Sequence, residues 1–274
     1  MTYLSLFSQK TIIGAVHFMP LPGFVGYQGI ERTLEKAKED TEAFLTGGVD
    51  ALIFENNYDY PHTISITDEV EHAMIELIKK ISPHIPFGIS VLWNDYKAAL
   101  RIAKATGGKF IRVPVFVDRV KTQYGIVEPN AQDVIKYRKE INAEDVLLFA
   151  DIHVKHAEIL STMSLIESAL KAIEEGADGL VITGKWTGDT PRHEDLRSVR
   201  KVVKDFPIII GSGASEENIA GLLTYADAVI VSTALKSGQV VEGEVNLKLF
   251  SEQVDPIKVK SFMRHLRGDE PVST

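Results

Sequence analysis

At 274 residues, with 45% hydrophobic and 25% charged residues, the chain has the length of one large α/β barrel and the make-up of a water-soluble globular protein. Its 30 basic and 38 acidic residues leave a formal charge of −8, with no basic stripe to offset it, so no nucleic-acid partner is expected. Cysteine is absent, which excludes disulfides, thiolate metal sites and cysteine nucleophiles and suits a reducing, cytoplasmic setting.

The first residues, Met1 to Thr11, lack early basic residues and a long apolar run, so they do not read as a signal peptide. No apolar stretch approaches the roughly 18 residues that a membrane span needs. Further along, eight β-branched apolar runs read as strands buried on both faces: residues 12–17, 51–55, 87–92, 110–113, 146–151, 179–183, 208–211 and 228–232. Helical spacing fills the gaps. Leu34, Ala37, Thr41, Phe44 and Leu45 form one face; Val70, Ala73, Met74, Leu77, Ile78 and Ile81 form the next. Ala98, Ala99, Ile102 and Ala103 mark a third, and Leu165, Ile166, Ala169, Leu170 and Ile173 a fifth. The fourth, near Asp133 to Ile141, and the sixth, near Asp195 to Val203, are fainter. Gly47-Gly48, Gly107-Gly108 and Gly176 stand where a helix needs a left-handed cap, and Asp50 and Asp178 open the strands that follow two of them.

Strict alternation predicts a parallel sheet. Eight similar units favour a closed (β/α)8 barrel of the phosphate-binding type, and the G-x-G-x-x-G of an open dinucleotide fold is missing after the first strand. Residues 1–268 are expected to form this single domain and residues 269–274 a disordered polar tail. Two long connections, 18–30 and 114–130, follow strands and so fall on the catalytic face, where they could cover a ligand.

The seventh and eighth units carry the strongest local signal. Gly211-Ser212-Gly213-Ala214 and Ser232-Thr233-Ala234 follow the last two strands, where many barrels bind phosphate through converging amides. Ser212, Gly213, Ser232 and Thr233 are the phosphate candidates, and Lys236 could add a full charge. The plainer reading is two tight turns with a Ser215 helix cap.

Other polar residues fall at strand ends. His17, Glu55, Asp151, His153 and Lys155 are candidates for acid, base, electrophile or amine nucleophile. Asn56, Asn94, Arg112, Thr183 and Thr187 are candidates for substrate contact. Each has a structural alternative: His17 as a loop-bonded imidazole, Asn94 as a helix cap, Arg112 as the partner of Glu55. If the fifth strand stays extended, Asp151, His153 and Lys155 share one side, and Asp151, Lys155 and Glu55 meet in one cavity. Asp151 with His153, Glu55 or His17 also offers nitrogen and oxygen donors to a divalent metal, at a spacing that is not diagnostic; no other cofactor is called for.

Together these segments resemble the BtpA family, from about Ile13 to Leu235. The matching pieces are Gly14-Ala15-Val16-His17, Pro20-Leu21-Pro22-Gly23, Gly47-Gly48-Val49-Asp50, Glu55-Asn56, Val91-Leu92 with Asn94-Asp95, and Phe110-Ile111-Arg112-Val113. Asp151, Val154-Lys155-His156-Ala157, Thr183-Gly184 and Gly211-Ser212-Gly213 complete them, while Trp93 stands where a basic residue is expected. The resemblance implies a phosphate-binding barrel. Its name comes from photosystem I biogenesis in cyanobacteria, and a nucleosidase-like role has been suggested for some members. Two functions follow as expectations. One is an enzyme acting on a phosphorylated sugar or nucleotide-like metabolite, by lyase, isomerase or glycosidic-cleavage chemistry, with a homo-oligomer left open. The other is a non-catalytic assembly factor for a membrane complex, which would expose an apolar patch.

Overall fold

A computed structural model describes residue 7 and residues 10–184, 189–238 and 252–267. The chain alternates β1 (Thr11–His17), α1 (Ile30–Gly47), β2 (Ala51–Glu55), α2 (Asp68–Ile81), β3 (Phe87–Ser90), α3 (Tyr96–Thr106) and β4 (Phe110–Val113). A hairpin, β5 (Val120–Thr122) and β6 (Gly125–Val127), leads to α4 (Ala131–Glu140) and β7 (Leu147–Ile152). Then come β8 (Glu158–Ile159), α5 (Leu165–Glu174), β9 (Gly179–Ile182), α6 (His193–Val203), β10 (Ile208–Ile210), α7 (Ile219–Leu222), β11 (Ala228–Val231) and α8 (Pro256–Arg267).

Eight of these strands close a parallel barrel in the order β1-β11-β10-β9-β7-β4-β3-β2, as the alternation predicts. Alternate residues of each strand face inward. Ile13, Ala15, Ala51, Ile53, Phe110, Phe149, Val181, Ile209, Ala228 and Ile230 fill the lumen. The other faces meet the helices in a larger apolar layer. The barrel is therefore a packed core, and its chemistry is confined to its rims.

The two rims use acidic residues differently. At the amino-terminal rim, Asp50, Asp178 and Asp227 precede strands and accept the amides of Ile12, Leu148 and Ile208 on neighbouring strands, at 2.8, 2.9 and 2.9 Å. They tie the bottom of the barrel together. Gly48, Gly107 and Gly176 take the positive φ expected of helix-ending positions. At the carboxyl-terminal rim, two long loops build a small antiparallel sheet, β6-β5-β8, over Trp93, Val115, Val120, Val127 and Val154. Trp93 is thus an anchor for the loops of this rim. No described helix is long and apolar enough to cross a membrane. Thr187 and residues 269–274 lie outside the described residues.

Candidate active site

Strand register brings the polar strand ends to one height. His17 pairs with Glu55, Glu55 with Ser90 and Ser90 with Arg112 along four adjacent strands. Each is two residues above a lumen position, so each points inward. A cavity of about 260 Å3 lies over them, lined by His17, Glu55, Asn57, Arg112 and Lys155 on one side and by residues 211–215 and 230–234 on the other.

Arg112 occupies the centre. Its Nε and Nη2 donate to the two Asp151 carboxylate oxygens at 2.8 Å each, and Nη1 lies 3.9 Å from Glu55 Oε1. Burial works against the guanidinium charge, but Asp151 and then Glu55 more than reverse it, so the pKa is raised. Burial pushes the Asp151 carboxyl up, while Arg112 and Lys155 oppose the shift. Gly211 makes room for this pair. A Cβ there would stand 2.6 Å from Val181 Cγ1, 2.8 Å from Thr183 Cγ2 and 3.2 Å from Arg112 Nη2.

A second chain of contacts runs from Tyr58 to Glu55. Lys236, 2% exposed, donates to the Tyr58 hydroxyl at 2.6 Å and lies 3.3 Å from His17 Nδ1. His17 Nε2 lies 3.4 Å from Glu55 Oε2. Burial first, and Lys236 second, lower the His17 pKa from 6.5 to about 4, so the ring is neutral at pH 7. An ammonium facing Nδ1 makes that nitrogen the acceptor and leaves the proton on Nε2, toward Glu55. Burial alone would raise the Glu55 carboxyl, yet His17, Arg112 and Lys155 bring it below its ordinary value. Glu55 is thus a carboxylate at neutral pH, with Oε1 bare of any hydrogen bond.

The last two loops face this ring. The backbone amides of Ser212, Gly213, Ala214, Thr233 and Ala234 donate to no described residue. Gly213 takes φ 73, and a Cβ on it would meet the Asp189 carbonyl carbon at 2.4 Å, so only glycine fits that turn. Ser232 Oγ and Asn57 Nδ2 are buried without a hydrogen-bond partner. The Ser212 hydroxyl is already engaged, accepting from Gly184 at 3.2 Å and donating to the Asp189 carbonyl at 3.0 Å. Its amide has no partner among the described residues. Glu216 and Glu217, which would repel an anion, bond Ser261 and Ser215 and do not line the cavity.

Several expected residues sit elsewhere. Asn56 donates to Asp59 and accepts from the Leu92 amide, and Asn94 exchanges two bonds with the Val115 backbone. Both hold loops, and neither lines the cavity. The fifth barrel strand does not stay extended: β7 ends at Ile152, and His153 takes φ 50. His153 then sends Nε2 to the Met163 carbonyl at 3.1 Å, away from Asp151. Lys155 still reaches the cavity, because the chain turns again beyond it at His156, φ 60. Asp151 lies behind Arg112 and does not line the cavity itself. Among the described residues no three His, Asp or Glu side chains converge as metal donors; Arg112 stands between Asp151 and Glu55. Thr183 opens onto a neighbouring cleft, with its hydroxyl unpartnered. Lys236 turns to Tyr58 and His17, not to the cavity lined by the last two loops. The sequence reading missed Tyr58, Asn57 and Ser90, which carry no motif; only the extended spacing 55–57 and the register reveal the last two.

The barrel is shared widely. Solved structures titled "Native KDPGal structure" and a phosphoribosyl anthranilate isomerase from Thermus thermophilus each superpose with a TM-score of 0.55, at 12% and 10% identity. They cover 93% of this chain, and 94% and 98% of their own, so they speak for the fold. Sequence relatives are closer. The photosystem I biogenesis protein BtpA of Synechocystis is 38% identical over 261 residues, 93% of this chain and 88% of its own. An uncharacterised protein of Archaeoglobus fulgidus is 38% identical over 86% of this chain and 95% of its own. The sgc-region protein named SgcQ in Escherichia coli is 29% identical over 95% and 96%. The BtpA family model matches residues 8–268, and the chain belongs to the BtpA family.

Proposed function

We propose that this cavity is the active site of an enzyme acting on a phosphorylated small molecule, a sugar phosphate or a nucleotide-like metabolite. One observation carries the reading: Ser212, Gly213, Ala214, Thr233 and Ala234, whose amides have no partner among the described residues, line a single cavity opposite His17, Glu55 and Arg112. A phosphate would satisfy several of these donors at once. Ser232 Oγ adds a hydroxyl to the same side. Glu55, an ionised carboxylate with one free oxygen, is the base. Neutral His17 returns a proton through Nε2, and Arg112 stabilises negative charge that develops beside it. These roles suit proton abstraction beside a carbonyl, as in an isomerase or lyase, and equally glycosidic cleavage.

Inorganic phosphate tests the anion site. At a hundred times Kd it should stabilise the fold by about 2.7 kcal/mol. That corresponds to a rise of roughly 5–10 °C in melting temperature for a chain of this size. Ser232→Asp sets a carboxylate among the same amides and should abolish the rise. No rise in the wild-type protein at tens of millimolar phosphate would remove the reading. The name of the Synechocystis relative favours a second reading, a factor in the biogenesis of a membrane complex. That role would survive Glu55→Gln, whereas turnover would not.

A further inference from the structure

We propose that Lys155 is an imine-forming amine, and that the substrate is therefore a phosphorylated aldehyde or ketone; this rests on the phosphate reading of the same cavity. Partnering separates the cations of this rim. Arg112 is fixed to Asp151, and Lys236 is fixed to Tyr58 and His17. Lys155, half-buried, makes no hydrogen bond or ion pair with a described residue, although it feels the charges of Arg112, Glu55 and Asp151. It lines the amide cavity and also a broader cleft, lined by residues 152–159 on one side and by residues 182–184 and 189–192 on the other. An amine at that junction can meet a carbon whose phosphate lies on the amides and whose remaining substituents lie in the cleft.

Charge favours the nucleophile as well. Burial, and after it Arg112, lower the Lys155 pKa to about 8, so a far larger fraction is neutral near pH 7 than for an exposed lysine. The chemistry balances with groups already present. The amine nitrogen bonds the carbonyl carbon, one N–H proton passes through Glu55 to the carbonyl oxygen, and a carbinolamine forms. A second N–H proton follows the same route, the C–O bond breaks, and water leaves the C=N bond behind. No oxidant or reductant is consumed.

The test is reductive trapping. The protein is incubated with sodium cyanoborohydride and glyceraldehyde 3-phosphate, dihydroxyacetone phosphate or ribose 5-phosphate, and modified peptides are mapped by mass. At least one of these should modify Lys155 ten-fold or more faster than the exposed Lys136, approaching one adduct per chain. Inorganic phosphate should slow the labelling, and Lys155→Arg should abolish it while keeping the phosphate-induced thermal shift. If phosphate stabilises the protein but all three carbonyls label Lys155 no faster than Lys136, the imine is overturned and the phosphate site stands. Fast labelling of Lys155 that phosphate neither slows nor accompanies with a thermal shift would keep the amine and remove the phosphate site.

Discussion

Replacing Asp151 by Asn separates a structural carboxylate from a catalytic one. In the folded protein both Asp151 oxygens accept from Arg112 at 2.8 Å, and the two side chains are 0% and 9% exposed. Asn keeps the shape, removes the charge and turns one acceptor into a donor facing another donor. Arg112 is left buried with Glu55 3.9 Å away as its remaining counter-charge. Breaking a buried pair by removing one partner costs about 3–5 kcal/mol. Glu55 offsets part of this, so the expected loss is about 3 kcal/mol, or roughly 6–12 °C in melting temperature. Urea titrations should show a lower midpoint with an unchanged slope. Adding Arg112→Met removes the stranded charge, and an apolar replacement for a buried pair is often neutral. The double variant should therefore be more stable than Asp151→Asn alone. Asp151→Asn within about 1 kcal/mol of wild type, or no rescue by Arg112→Met, would refute the argument.

Three further outcomes follow from the same geometry. His17 should remain neutral, protonated on Nε2, in 15N NMR at pH 5, because its folded pKa is about 4 against an ordinary 6.5; a ring that titrates near 6.5 contradicts this. Between those values the unfolded chain binds the extra proton, so this contribution is complete above about pH 6.5 and is lost as pH falls toward 4, by up to about 3 kcal/mol. Lys236→Met removes the second-largest cause of the depression, so it should raise the His17 pKa and release the Nε2 tautomer, read by the same spectra. Gly211→Ala drives a methyl into Val181, Thr183 and Arg112 and should cost about 1–3 kcal/mol by thermal or urea unfolding, with a wild-type melting point counting against it.

The fold was legible because its signal is repeated. Residues 51–55 and 110–113 are strands as read, and the other six runs differ by one or two residues at their ends. A buried parallel strand needs an unbroken β-branched run, and a helix needs its glycine cap, and both patterns recur along this chain. What escaped lacked repetition. The hairpin β5–β6 shows its alternation only over Val120-Lys121-Thr122, where Val120 and Thr122 are buried and Lys121 is exposed. Its third strand, β8, comes from a segment some thirty residues on and becomes a strand only by pairing with Val120 and Lys121. The last helix, α8, packs on α1, with Val259 against Gly47, a partner more than two hundred residues earlier.

The candidate site could be read by residue type and not by partner, and the two lysines explain why. In sequence, Lys155 and Lys236 each follow a strand, the first a candidate nucleophile and the second a candidate phosphate contact. Three-dimensional partners divide them. Lys236 is enclosed by Tyr58, from the loop after β2, and by His17, from β1, so its charge is spent on the tautomer of one imidazole. Lys155 lies between two residues of positive φ, which aim it at the cavity and away from any described carboxylate within bonding distance. Asp151 and Glu55 divide in the same way. Arg112 covers both oxygens of the first and approaches one oxygen of the second at 3.9 Å. A strand end tells which residues stand on the rim, but whether a charge is free to react depends on which neighbour has already taken it. That neighbour comes from another strand, at a register no local pattern encodes.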